Sequence, residues 1–339
     1  MIDLRSDTVT KPTKNMLDAM YSARVGDDVF GDDPTVIQLQ DQISKMFGME
    51  SAIYCPSGTM TNQIAIKVHT NPGDEVICDR LSHIYNYEGG GIASISGVST
   101  RLLNGDRGRF KATDIAKNIN PDDEHFPITS LVSIENTCNK GGGSIWNFED
   151  IDEIAKVCKK RNLKLHLDGA RLFNAITETK EDPKDFGKIF DSISICLSKG
   201  LGAPIGSILL GNNEFIKKAR RVRKVFGGGM RQVGYLAAAG IFALENNTIR
   251  LIEDHKRAQI IEKTLKNLPY VKSILPVETN LIVFELEEDM NVNLFLKKLE
   301  AKKIFAIKTG HQLVRMVTHL GFTDDMLEAT VSTLNNINL

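Results

Sequence analysis

Four short segments of this chain carry residues that can do chemistry. In Ile193-Ser194-Ile195-Cys196-Leu197-Ser198-Lys199-Gly200-Leu201-Gly202 a lysine sits among apolar residues. An amine taken out of water in this way is a nucleophile toward carbonyls; the plainer alternative is a solvated turn lysine. In Lys164-Leu165-His166-Leu167-Asp168-Gly169-Ala170-Arg171-Leu172 a buried-looking strand ends in an acid. The carboxyl ends of α/β strands are where ligands bind. Asp168 can pair there with a cationic ring nitrogen while Arg171 grips a carboxylate by a planar two-point fork. A helix-capping Asp168 and a solvated Arg171 are the competing account. Ser57-Gly58-Thr59 leads from a strand-like run into a helix, whose first N–H groups can cradle a phosphate; ordinary capping explains the same residues. His83, in Asp79-Arg80-Leu81-Ser82-His83, comes just after another strand end. It can stack on a flat ring or shuttle protons near neutral pH, or be a satisfied structural histidine.

Each segment alone is weak, but together they are the parts that hold pyridoxal phosphate (PLP). Lys199 would form the Schiff base. Asp168 would keep the pyridine nitrogen protonated, so that the ring withdraws electrons from a substrate Cα.

Such residues need a scaffold that brings distant segments to one edge. Short β-rich runs at 52–55, 75–78, 131–134, 163–167, 192–197 and 205–210 alternate with helix-like stretches. That pattern predicts an α/β fold, a mostly parallel sheet sandwiched by helices, with several strands buried on both faces. Asp33-Pro34 opens a helix whose apolar face is Val36, Ile37, Leu39, Ile43, Met46 and Phe47, and Gly48 ends it. From about residue 246 charged helices, such as 248–268, surround strand candidates at 280–285 and 313–318. A large domain over 12–245, a smaller α+β domain over 246–339 and an amino-terminal arm, 1–11, contributing to the site are expected.

Composition narrows the function. The 339 residues hold 42 Lys plus Arg against 43 Asp plus Glu, without the basic excess that binds a phosphate backbone, so nucleic acid is not an expected partner. The polar start, Met1 to Asp7, is no signal peptide, and no apolar run reaches the roughly 18–20 residues that span a bilayer. A cytoplasmic protein without a membrane partner is expected. Cys55, Cys78, Cys138, Cys158 and Cys196 are odd in number and lack a Cys-x-x-Cys pair, which indicates reduced thiols rather than disulfides or a metal site.

Five motifs then resemble the low-specificity L-threonine aldolases, PLP enzymes of the aspartate aminotransferase-like fold (fold type I). They are Asp3-Leu4-Arg5-Ser6-Asp7-Thr8-Val9-Thr10, Val25 to Pro34, Asp168-Gly169-Ala170-Arg171, Ser198-Lys199-Gly200-Leu201-Gly202 and Gly227-Gly228-Gly229-Met230-Arg231-Gln232. The resemblance runs along nearly the whole chain. It implies that Lys199 carries PLP, Asp168 pairs with its ring nitrogen, His83 stacks on the ring, and Ser57, Gly58 and Thr59 bind its phosphate. Ser6, Arg171 and Arg315 would hold the substrate carboxylate, Arg171 also lying by the cofactor. His83 or His125 would be the base. Lys224 and Arg231 would reach a neighbour's phosphate in a homo-oligomer, a dimer of dimers with shared sites, a solvated basic face being the alternative. The implied reaction splits L-threonine or L-allo-threonine into glycine and acetaldehyde. Family members read Glu-Asn-Thr-His-Asn where this chain has Glu135-Asn136-Thr137-Cys138-Asn139. Another PLP-dependent lyase or a racemase would use the same Lys, Asp and Arg, and a non-catalytic PLP-fold binding protein is a further reading.

Overall fold

The computed structural model describes residues 1–337. Its large sheet has seven strands, in the spatial order Ser51–Cys55, Ser207–Gly211, Ser192–Cys196, Lys164–Gly169, Thr129–Glu135, Glu75–Asp79, Ser99–Leu103. Ser207–Gly211 runs against both its neighbours, and every other adjacent pair is parallel. The six remaining strands therefore point one way, and their carboxyl ends share one edge. Glu75–Asp79, Ser192–Cys196 and Ser207–Gly211 are buried at every position, as strands covered on both faces must be.

The predicted strands are present with small shifts at their ends. The run expected at 205–210 begins at Ser207 because Gly206 adopts φ +117°, and a Cβ there would strike the ring of Tyr54. Ser99–Leu103 gave no sequence signal, since an edge strand with Ser, Thr and Arg at its start is only partly buried and shows no apolar alternation. The 248–268 helix is shorter than expected, Leu251–Leu265.

Pro34–Phe47 starts as its sequence dictates. Asp33 accepts hydrogen bonds from Thr35 and Val36 N–H, both at 3.1 Å, and Gly48 closes the helix at φ 63°. The same carboxylate also accepts from Gly26 N–H at 3.2 Å and Gly234 N–H at 2.8 Å. One fully buried side chain thus joins the Val25–Pro34 motif, the helix start and the helix Gly234–Asn246.

A second, antiparallel sheet has the order Ile307–Lys308, Leu313–Val317, Leu281–Leu286, Val271–Ile274. Its apolar cluster is separate from that of the large sheet and takes in Ile2 and Leu4. The amino terminus reaches it by pairing Ile2 and Asp3 in parallel with Ile304 and Phe305. All five cysteines are unpaired and buried. Among the described residues no helix is long and apolar enough to cross a membrane.

Asp33→Ala is expected to destabilise the protein by about 3 kcal/mol, a lost cap plus the N–H groups of Gly234, buried, and Gly26, half-buried, without partners. Urea denaturation measures this, and a loss under about 1 kcal/mol would show that the three segments are held by packing instead.

Candidate active site

Ser57, His83, Asp168 and Lys199 come from four separate segments, and each lies at or just beyond a strand end on the common carboxyl edge. Ser57, Gly58, Thr59, Asn62, His83, Asp168, Ala170, Cys196, Ser198 and Lys199 line a cavity of about 200 Å³. Beside it lies a cleft of about 450 Å³, lined by Ser6, Thr8, His83, Tyr87, Asn139, Arg171, Lys199, Lys308 and Arg315 among others. Lys199 and His83 belong to both linings, so the lysine stands where the two spaces meet.

In the inner cavity Ser57 caps the helix Gly58–His69 through its Oγ, which accepts from Met60 N–H at 3.2 Å. A side chain on Gly58 would collide with Cys196 Sγ, so glycine is what brings the helix start against the Lys199 segment. Asp168 is 2% exposed. Its Oδ2 accepts from Asn62 Nδ2 at 2.9 Å and its Oδ1 from Ala170 N–H at 3.2 Å. Both donors are neutral, and no described cation makes an ion pair with it. A buried carboxylate in that state suits a cationic ligand group.

His83 is held from two sides. Its backbone N–H donates to Glu135 Oε2 at 2.7 Å and its ring Nδ1 meets Glu88 Oε1 at 2.9 Å. Burial opposes charging the ring, but the hydrogen bond to Glu88 and the charges of Asp168, Glu88 and Glu135 outweigh it and raise the pKa above its ordinary value. Burial and the nearby Asp168 push the Glu135 carboxyl up to about 7, against the pull of the Asn139 and His83 N–H groups.

In the outer cleft the Arg171 fork is already engaged: Nε and Nη2 donate to Asp7 Oδ2 and Oδ1 at 2.8 and 2.7 Å, both side chains being buried. Arg171 lines the cleft as expected, with two of its three guanidinium nitrogens on Asp7. Only Nη1 of Arg171 lacks a partner among the described residues. Asp7 was visible in the Asp3–Thr10 motif but gave no hint of role, because its partner lies 164 residues away. Burial would raise the Asp7 carboxyl, yet the charge and hydrogen bonds of Arg171, with Lys199 and Asn280, hold it at about 2. Arg315 is the freer cation. Nη1 donates to Asn139 Oδ1 at 2.9 Å and Nη2 to Arg5 O at 3.0 Å, while its buried Nε has no partner among the described residues. No described carboxylate pairs with it, and burial and the Arg171 charge lower its pKa.

Three expected residues lie outside this cleft. His125 is exposed and bonded to Asp123 at 2.7 Å in the loop that precedes Thr129–Glu135. It sits at the amino end of that strand, about 20 Å of strand length from the carboxyl edge that carries Asp168 and Lys199. Arg231 is exposed and paired with Asp27 at 2.9 Å. Lys224 is exposed too, with its Cδ over Gly229 beside Val29. Cys138, where family members carry His, is buried under Gly108, with its N–H bonded to Ser144 O. Glu88, Asn62 and Tyr87 are site residues that sequence reasoning missed; Glu88 and Tyr87 stood near His83 without any distinguishing spacing.

Residues 3–289 match the family model described as beta-eliminating lyase. The chain is 42% identical to the low-specificity L-threonine aldolase of Escherichia coli K12, over 96% of each protein. It is 39% identical to low-specificity L-threonine aldolase 1 of Arabidopsis thaliana, over 98% of this chain and 94% of that protein. A Leishmania major threonine aldolase structure superposes with a TM-score of 0.85 at 23% identity, covering 99% of both chains.

The Asp7–Arg171 pair makes a pH prediction. The Asp7 pKa is depressed in the folded state, so its stabilisation is present above about 4 and lost as the pH falls toward 2. Asp7→Asn is expected to be about 2–3 kcal/mol less stable than the parent at neutral pH, the gap closing between about pH 4 and 2. Parallel denaturation series read this; a gap that stays constant over that range would mean the pair is not what stabilises the arm.

Proposed function

We infer that the cleft of this chain, which belongs to the beta-eliminating lyase family and within it to the low-specificity L-threonine aldolases, splits L-threonine into glycine and acetaldehyde as a PLP-dependent lyase. The residue assignments rest on one observation: two unmatched charges flank Lys199, Asp168 without a cation and Arg315 without an anion. PLP with an amino-acid substrate supplies both partners, a cationic ring nitrogen and a carboxylate. The cavity beneath Lys199, with a helix start at one end and a buried acid in its wall, fits that group.

Lys199 would hold the cofactor's carbonyl carbon, Asp168 its ring nitrogen, and Ser57, Thr59 and the first N–H groups of Gly58–His69 its phosphate. Bound there, PLP supplies a ring that accepts the electron pair released at the substrate Cα. The chain's own residues do the rest. Arg315 with Arg171 Nη1 and Ser6 binds the carboxylate, which sets the rotation of the substrate and so decides which bond at Cα breaks. Asp168 keeps the proton on the ring nitrogen. His83 takes the β-hydroxyl proton at Nε2, because Nδ1 is engaged by Glu88. His125 is given no part in its own chain's cleft. L-allo-threonine is taken by the same residues, which bind the groups common to both epimers.

A homo-oligomer, a dimer of dimers, is part of this reading. It is supported by the exposed Tyr21, Phe30 and Val225, the last two beside Lys224 and Arg231 and so able to bring these cations to a neighbour's phosphate. A division near residue 246 is supported by the two apolar clusters, and a cytoplasmic setting by five free cysteines.

Incubating PLP-supplied protein with each threonine epimer should yield glycine and acetaldehyde. Formation of 2-oxobutanoate would replace the reading by β-elimination, epimerised substrate by racemisation, and bound cofactor without turnover by a binding protein. Lys199→Ala should lose the visible absorbance of lysine-bound PLP together with turnover; retention of both would remove Lys199 from the scheme. Arg315→Gln should raise KM for threonine by about 10- to 100-fold, roughly the 1.5–3 kcal/mol of a hydrogen bond to a charged group, with a smaller change in kcat. An unchanged KM would give the carboxylate to other residues.

A further inference from the structure

Behind the site a chain of polar side chains runs between the helix Gly58–His69 and the two strands beneath it, Lys164–Gly169 and Ser192–Cys196. Asn62 Nδ2 donates both its hydrogens to carboxylates, to Asp168 Oδ2 at 2.9 Å and to Glu88 Oε1 at 2.8 Å. The reverse orientation of the amide would set its oxygen against two carboxylate oxygens, so the assignment is forced. Asn62 Oδ1 must then accept, and the atom facing it at 3.1 Å is His166 Nε2. His166 therefore carries its proton on Nε2. Its bare Nδ1 accepts from Ser192 Oγ–H at 2.8 Å, and Ser192 Oγ accepts from His69 Nε2–H, also at 2.8 Å. With His166 neutral, every donor in the chain finds an acceptor in this direction.

The neutral state of both histidines fits the same arrangement. His166 is wholly buried, and burial lowers its pKa to about 4 despite the charge of Asp168. Burial, with the neighbouring His166, Lys164 and Lys218, lowers that of His69 well below its ordinary value. Glu88, with no exposed side-chain surface, also accepts from Gln63 Nε2 at 2.6 Å and from the ring of His83.

We propose that Asn62 is a positioning residue for the cleavage reaction: its amide ties the carboxylate of Asp168 to the Glu88 carboxylate that orients His83, and His166 holds the amide in place from behind through its oxygen. The acid at the ring nitrogen and the base at the β-hydroxyl are thereby held as one unit. The inference rests on the roles given above to Asp168 and His83, and nothing in those roles requires Asn62 or His166. Neither residue touches the reacting atoms; both act through the carboxylates.

The test begins with the PLP-loaded parent protein, ¹⁵N-labelled at histidine. His166 is expected as a neutral ring protonated at Nε2 throughout about pH 6–8; a proton on Nδ1, or titration within that range, would overturn the proposal. Asn62→Ala is expected to lower kcat by about 10- to 100-fold, the scale of a misplaced catalytic group, with KM changed less than about threefold. It should also shift the pH midpoints of the His83 ring signal and of the bound cofactor's visible absorbance. His166→Gln, whose amide can donate from about the place of Nε2, is expected to recover most of the activity that His166→Leu loses. Asn62→Ala with parental kcat and midpoints, or equal losses in the two His166 variants at equal thermal stability, would make the network purely structural. If the parent protein cleaves no threonine, the reaction assignment fails, while the tautomer and the absorbance midpoint still judge the network.

Discussion

The cleft exists because a buried carboxylate and a buried guanidinium meet fork to fork. Asp7 and Arg171 come from distant parts of the sequence, one on the amino-terminal arm and one just past the carboxyl end of Lys164–Gly169. The arm is anchored to the smaller sheet by Val317 N–H donating to Leu4 O, next to the Ile2–Asp3 pairing with Ile304 and Phe305, and to the large sheet's edge by this pair. With both ends fixed, Ser6 lies in the lining of the cleft and Arg5 O receives Arg315. An isolated charge at either position would carry a desolvation penalty of several kcal/mol, and the two-point geometry offsets it. Asn280, which bonds both Asp7 and Thr318 O, extends the same joint into the smaller sheet.

Against that satisfied pair, the unsatisfied charges acquire meaning. Selection for a stable core alone would leave no reason to bury Asp168 with only neutral donors or to line a cavity with Arg315 and no acid. Each is a position where the folded chain gives up stability that a ligand returns. Their placement on the two sides of Lys199 states what the ligand carries: a cation deep in the inner cavity and an anion in the outer cleft. Both requirements come from the hydrogen-bond partners within this chain, and they agree with the family to which it belongs.

Much of this was legible in the sequence. Strand ends announce themselves through buried apolar runs, so Asp168, His83 and the Ser57–Thr59 turn could be set on one edge before any coordinates. Lys199 could be singled out by its apolar neighbours and glycines. The partner of Arg171 could not. A guanidinium fork looks the same in sequence whether it faces a substrate or a side chain 164 residues distant, and no periodicity encodes that contact. His125 lies apart from the site of its own chain for a geometric reason: it precedes its strand, whereas the site gathers residues at and beyond the carboxyl ends of strands. Asn62 was hidden because it lies one turn into an ordinary helix, where an asparagine is usually a solvated or capping residue.

That last case shows how a parallel sheet limits and helps its own active site. Side chains at strand ends are fixed by backbone pairing, but their carboxylate torsions are not, and an acid free to rotate would present either oxygen to a ligand. An amide with both hydrogens on carboxylates removes that freedom, and it is held more firmly when a donor stands behind its oxygen. A hydroxyl or water behind it could adapt to either orientation, since each can donate or accept. A neutral histidine whose other nitrogen is committed to accepting from Ser192 cannot adapt without breaking a second buried bond. The order of the network thus runs from His69 and Ser192, remote from the cavity, toward the carboxylates of Asp168 and Glu88. Rigidity at the reacting edge is supplied from the interior of the fold.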